Sequence, residues 1–224
     1  WGEYFANEQQ GLFPDTLWKK NNLGKGWVLG ETLITGIGQG YIQTTPLQLC
    51  LMTAQIANGG YKISPKIIVN NKPLNFLKAK KNMELKSSIE PNLQLIKDKK
   101  NLKIVQKAMF SSTNEIRGTS YRSRIDDPKY QFAGKTGTAQ VKRISKRERE
   151  LDLKLEQIPY KDRDHALYVA YGPYINPRYA LSIIVEHGGS GSKAAAPIAK
   201  ELFKLIIDRD ALREKQSNFE EIDI

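Results

Sequence analysis

Gln131-Phe-Ala-Gly-Lys-Thr-Gly-Thr-Ala-Gln-Val141 is the run on which the fold turns. It reads as a strand with Gly134 and Gly137 inside it, and an interior strand glycine marks a close approach by another backbone or a ligand. Gly134-Lys135-Thr136 is also how a phosphate-binding loop ends. That loop needs a glycine five positions before Gly134, where Lys129 stands, and a hydrophobic strand leading in, which Asp126-Asp127-Pro128 interrupts. The phosphate-loop reading therefore fails. Gly36-x-Gly38-x-Gly40 likewise lacks the spacing and strand context of a dinucleotide fingerprint and reads as a tight turn.

Downstream of this run, His165–Tyr171 alternates and is aromatic, and Tyr179–Glu186 is strongly β-branched. With the turn Gly172-Pro-Tyr-Ile-Asn-Pro177 between them, the three segments predict an antiparallel meander. Ala194–Asp208 then predicts a closing helix with Ala195, Ile198, Ala199, Leu202, Leu205 and Ile206 inward. Upstream, residues 1–30 read as irregular, punctuated by glycines. Thr45-Pro46 opens a helix that Asn58-Gly59-Gly60 ends. Tyr61–Val69 is an edge strand or extended loop, residues 70–90 a polar excursion, and Leu93–Phe110 a second amphipathic helix. A sheet covered by helices without strand–helix alternation is α+β. Residues 1–208 form the folded part, and 209–224 a charged, frayed tail.

Lys and Arg number 35 against 24 Asp and Glu, a formal net charge of +11. The densest run, Lys142–Arg163, interleaves Glu148, Glu150, Asp152, Glu156 and Asp162, which suits a solvated excursion at the mouth of a site. No aromatic residue falls among the charges of Lys142–Glu156, so no stacking platform for bases is offered and nucleic acid is not an expected partner. The single cysteine, Cys50, excludes an internal disulfide and reads as a small buried hydrophobe. His165 and His187 read as structural residues, without the clustered ligands of a metal site. No metal or cofactor is expected.

The remaining reading of Gly134–Gln140 is the Lys-Thr-Gly strand of serine acyl-transferases that react with penicillin. A strand edge can pair with an extended peptide through its backbone. Lys135 supplies a positive charge near the nucleophile and the substrate carboxylate. Thr136 and Thr138 offer hydroxyls to that carboxylate, Gly137 lets substrate lie close, and the Thr138 N–H can form one arm of an oxyanion hole. These four residues are the candidate catalytic set.

The surrounding sequence resembles the C-terminal part of the transpeptidase domain of class B penicillin-binding proteins of the elongation type. The resemblance runs through Glu8-Gln-Gln-Gly11-Leu-Phe-Pro14 with Trp18-Lys19, then Gly30–Tyr41 followed by Thr44-Thr-Pro-Leu-Gln48, then Asn58-Gly59-Gly60. It continues through Phe132–Gln140, Asp164-His165 to Pro173, and Glu186–Pro197. It implies the penicillin-binding and serine β-lactamase-like fold, an antiparallel sheet flanked by helices and here incomplete. The Lys-Thr-Gly strand is expected to be central in a larger sheet completed by upstream segments, without which an open edge would favour aggregation. It also implies a peptidoglycan D,D-transpeptidase at the periplasmic face of a bacterial inner membrane. The implied partners are stem peptides, β-lactams and elongation-complex membrane proteins such as a polymerase of lipid-linked precursor.

Such enzymes also need a serine with a lysine three residues on, and a Ser-x-Asn loop. In the family both lie upstream of the segment that matches Trp1. Ser190-Gly-Ser-Lys193 and Ser112-Thr-Asn114 carry the letters but fall in the wrong chain order. The expectation is a fragment that is inactive alone. The alternatives are a non-catalytic product of a split or decaying gene acting as a binding fragment, and a β-lactam-sensing or β-lactam-hydrolysing relative.

Overall fold

The computed structural model describes residues 9–65, 89–142 and 153–220. They form helices α1 (Thr16–Leu23), α2 (Leu29–Gly36) and α3 (Pro46–Ala57), strands β1 (Tyr61–Ile63) and β2 (Ile89–Gln94), and helix α4 (Lys99–Asn114). Strands β3 (Ala133–Ala139), β4 (His165–Gly172) and β5 (Tyr179–Val185) and helix α5 (Ala196–Glu220) follow. Among the described residues no helix is long and apolar enough to cross a membrane. The chain divides into two compact units, Trp1–Leu49 and Cys50–Ile224.

In the first unit the expected irregularity gives way to two short helices. Asp15 caps α1 by accepting from the Trp18 N–H at 2.6 Å, and Gly24, at φ 64°, ends it in the left-handed conformation. Of the glycines read as loop punctuation, Gly24 is a helix stop and Gly30 lies in the first turn of α2. Lys19 is buried at 5% exposure, and its ammonium donates to Glu31 at 2.6 Å and to the Gly26 carbonyl at 2.7 Å. That ion pair ties α1 to α2. The α3 N-terminus forms as the sequence implies: the Gln48 N–H donates to Thr45 Oγ1 at 3.2 Å, and the Thr45 N–H donates back to Gln48 Oε1 at 2.9 Å.

The second unit is built on a three-stranded antiparallel sheet of order β3-β4-β5. The meander is therefore as expected. Among the described strands β4 is central, and β3 has β4 as its one partner and lies at the edge. One face of the sheet packs Phe132, Tyr168 and Ala170 against Ala196, Ala199 and Phe203 of α5. The Phe132 and Phe203 rings stack at 4.8 Å, and burying each such side chain stabilises by roughly 1.5–3 kcal/mol. The other face brings Met109 of α4 together with Ala133 and Tyr171, with Ile56 of α3 packed beside them. Cys50 is half-buried, its Sγ donates to Ala180 O at 3.4 Å, and burial pushes its thiol pKa up. It is a packing group, as expected.

Two boundaries shift. Residues 93 and 94, expected in the second helix, belong to β2, which pairs antiparallel with β1. Helix α4 starts only after Asp98, whose carboxylate accepts from the N–H groups of Lys100 and Asn101 at 2.8 and 3.1 Å. Helix α5 continues to Glu220 rather than fraying from 209. The end of the expected extended segment Tyr61–Val69, most of the expected polar excursion 70–90 and the first part of the charged segment Lys142–Arg163 lie outside the described residues.

Candidate active site

Gly134, Lys135, Thr136, Gly137 and Thr138 all lie within β3, a regular strand. A phosphate-binding loop would place these residues at a turn before a helix. The strand pairs Lys135 with Val169, Thr136 with Tyr168, Gly137 with Leu167 and Thr138 with Ala166. Gly134 is glycine for a steric reason: a Cβ there would sit 2.3 Å from Tyr168 Oη. Gly137 is less constrained on its own strand, its added Cβ meeting Leu167 Cβ at 3.3 Å. From the far side Gly191 presses in so closely that a Cβ on it would lie 2.4 Å from Leu167 O and 2.9 Å from Gly137 O.

The Lys135 side chain is exposed. Its ammonium donates to the Thr136 carbonyl at 2.8 Å and reaches Thr136 Oγ1 at 3.3 Å. It faces a cavity of about 620 Å³ lined by apolar residues of α3 and α4, such as Met52, Ile56 and Val105, with Arg117 and Thr119 also on its wall. The cation thus stands beside a hydroxyl at the edge of an apolar space, an arrangement able to hold a carboxylate.

Three hydroxyls that the sequence reading left aside support the strand from behind. Tyr168, fully buried, shares its Oη with Thr113 Oγ1 at 2.9 Å and Ser120 Oγ at 3.0 Å. Burial pushes its phenol pKa up, opposed by the hydrogen bonds to Ser120 and Thr113, so it stays a neutral donor. The network fastens the end of α4 and the loop after it to the sheet directly beneath Gly134.

The decoy motifs have ordinary partners. Asn114 donates through Nδ2 to the carbonyls of Phe110 and Phe132 at 3.0 and 2.9 Å, so its amide is committed to backbone. Ser190 Oγ pairs with Ser192 Oγ at 3.0 Å, at the start of the five-residue π-turn Gly191–Ala195. His165 Nδ1 accepts from the His187 backbone N–H at 2.9 Å, and His187 Nδ1 lies 3.0 Å from Arg163 O. These are structural contacts, as the sequence suggested. Among the described residues no three His, Cys, Asp or Glu side chains converge on a metal-sized space.

Residues 4–204 match the family described as the penicillin-binding protein transpeptidase domain. The chain belongs to that family. A peptidoglycan D,D-transpeptidase MrdA of Salmonella typhimurium is 33% identical over 204 residues, covering 91% of this chain and 31% of the relative. The corresponding Haemophilus influenzae protein is 31% identical over 213 residues, 93% of this chain and 30% of its own length. The chain thus spans about a third of the length of the curated relatives it matches. A solved complex of the penicillin-binding protein PBP2 with MreC from Helicobacter pylori aligns with TM-score 0.71 and 32% identity. That alignment covers 91% of this chain and 32% of the other. Pseudomonas aeruginosa PBP2 in complex with WCK 5153 aligns with TM-score 0.65 and 34% identity, over 89% of this chain and 39% of the other. The α+β transpeptidase fold expected from the sequence is therefore the fold observed.

Proposed function

We propose that this chain supplies the substrate-cradling strand of a peptidoglycan D,D-transpeptidase, with Lys135, Thr136, Gly137 and Thr138 as its site residues. The observation that carries the reading is the Lys135 ammonium beside Thr136 Oγ1 on an edge strand over an apolar cavity. The edge of β3 accepts the extended D-alanyl-D-alanine end of a stem peptide by backbone pairing. Lys135 and the threonine hydroxyls hold the terminal carboxylate, and the Thr138 N–H stabilises the developing oxyanion.

The nucleophile is a serine outside this 224-residue stretch, with a lysine three residues on as its base and a Ser-x-Asn loop beside it. The serine Oγ attacks the penultimate carbonyl and passes its proton to the base. The peptide C–N bond breaks and D-alanine leaves with a proton on its amine. An amine from a neighbouring stem peptide then attacks the acyl ester, forms the cross-link and frees the serine. A β-lactam enters the same path through its own strained amide. No metal or cofactor enters this chemistry. The parent protein works at the periplasmic face of the bacterial inner membrane, beside elongation-complex membrane proteins such as a polymerase of lipid-linked precursor.

The test is D-alanine release from a disaccharide pentapeptide by the full-length protein. Removing a catalytic electrostatic donor costs on the order of 10²–10³ in rate. Lys135→Ala is therefore expected to lower the rate by about that factor with the melting temperature unchanged, and an unaltered rate would remove Lys135 from the site.

A further inference from the structure

The loop after α4 brings to the candidate strand a hydroxyl that the reading above does not use. Thr119 Oγ1 lies 3.5 Å from Thr136 Oγ1 and 3.1 Å from Ser112 Oγ. Its place is fixed from both sides. Gly118 presses against α4, where an added Cβ would sit 2.3 Å from Ser112 O. Ser120 is buried at 1% exposure, its N–H and its hydroxyl each donate to Ser112 O at 3.0 Å, and its oxygen meets Tyr168 Oη at 3.0 Å. Between these two anchored neighbours the Thr119 side chain stands exposed on the cavity wall beside Lys135.

Counting donors and acceptors shows what that hydroxyl can do. An ammonium has donors only, so Lys135 Nζ fills one lone pair of Thr136 Oγ1. Thr119 can fill the other, while Ser112 donates into Thr119. With both lone pairs taken, the one proton of Thr136 is left for an acceptor brought to the edge of β3. Hydroxyls in series polarise one another in the same direction. The 3.5 Å contact is long for a hydroxyl pair, as catalytic hydrogen bonds often are before the substrate arrives.

We propose that Thr119 is a positioning residue for carboxylate recognition: it orients the Thr136 hydroxyl so that its proton is presented to the terminal carboxylate of the stem peptide or β-lactam. The proposal rests on the reading of β3 as the carboxylate-binding strand. It predicts discrimination between ligands with and without that charge, which a purely structural threonine would not produce.

The experiment uses the full-length protein, a fluorescent penicillin and the methyl ester of its carboxylate, and measures the second-order acylation rate with each. Thr119→Val is expected to slow acylation by the free acid roughly tenfold, the loss of one hydrogen bond, while the slow reaction with the ester stays within about twofold. Thr119→Ser, which keeps the hydroxyl, is expected to restore the acid rate, and all three proteins should melt together. Equal slowing of both probes, no slowing of either, or failure of serine to rescue overturns the proposal. If the unsubstituted protein is acylated by neither probe, the reading of the strand itself fails, and this inference with it.

Discussion

A methyl group on Gly134 would stand 2.3 Å from Tyr168 Oη and 2.5 Å from its ring carbon Cζ. The phenol has nowhere to go, since Thr113 and Ser120 hold it and the residue is fully buried. Gly134→Ala is therefore expected to destabilise the chain by about 1–3 kcal/mol, as overpacking in a closed core does. A chemical-denaturation midpoint equal to that of the unsubstituted chain would show that the phenol swings clear. Glu31 carries a pH signature. The Lys19 ammonium and then the Val28 N–H hold its carboxyl below the ordinary range. The folded state thus favours the ionised form. That stabilisation is present above the unfolded carboxylate value of about 4.3 and is lost as pH falls through the depressed folded one. Glu31→Gln should lower the melting temperature at pH 7, and the gap should close by about pH 3; a gap constant with pH would contradict the ion pair. Neither residue was legible as a functional support. Sequence spacing cannot show that Tyr168 reaches beneath Gly134, because that contact depends on the register of two strands separated by a long charged segment.

The elements with strong local signals were legible. The β-branched and aromatic runs at 165–171 and 179–186 became β4 and β5, and Thr45-Pro46 became the start of α3. The misreadings share a cause. Helices α1 and α2 are short, with eight residues each, so they offer too few turns for periodicity to show, and their stability comes from caps and the Lys19–Glu31 pair. Leu93, Leu95 and Ile96 are apolar and extend the helical pattern of α4 backwards, although residues 93 and 94 belong to β2. The Asp98 cap marks the true start. Its role is testable at this scale. Asp98→Ala should cost about 1 kcal/mol, the usual value of an N-cap, the more so because the first turn of α4 carries lysines and no acidic residue to meet the helix dipole. Native-state hydrogen exchange of the Lys100 and Asn101 amides reads it directly, and unchanged protection there would contradict the cap.

For the molecule as a whole, the edge position of β3 matters more than any single side chain. A central strand would have both sides occupied by sheet partners. At the edge, where the order β3-β4-β5 leaves it among the described strands, it offers N–H and C=O groups to the extended substrate of the proposed function. The letters Lys-Thr-Gly name the strand, but which of its sides is unpaired is a property of topology that three letters do not carry. The central claim is that these 224 residues hold the cradle of the site while the acylated serine lies elsewhere in the longer protein. Covalent labelling by fluorescent penicillin on a denaturing gel tests it most directly. The account predicts a labelled band for the full-length protein, its loss in Lys135→Ala, and no band for the 224-residue chain alone. A labelled band on the 224-residue chain, or undiminished labelling of Lys135→Ala, would contradict it.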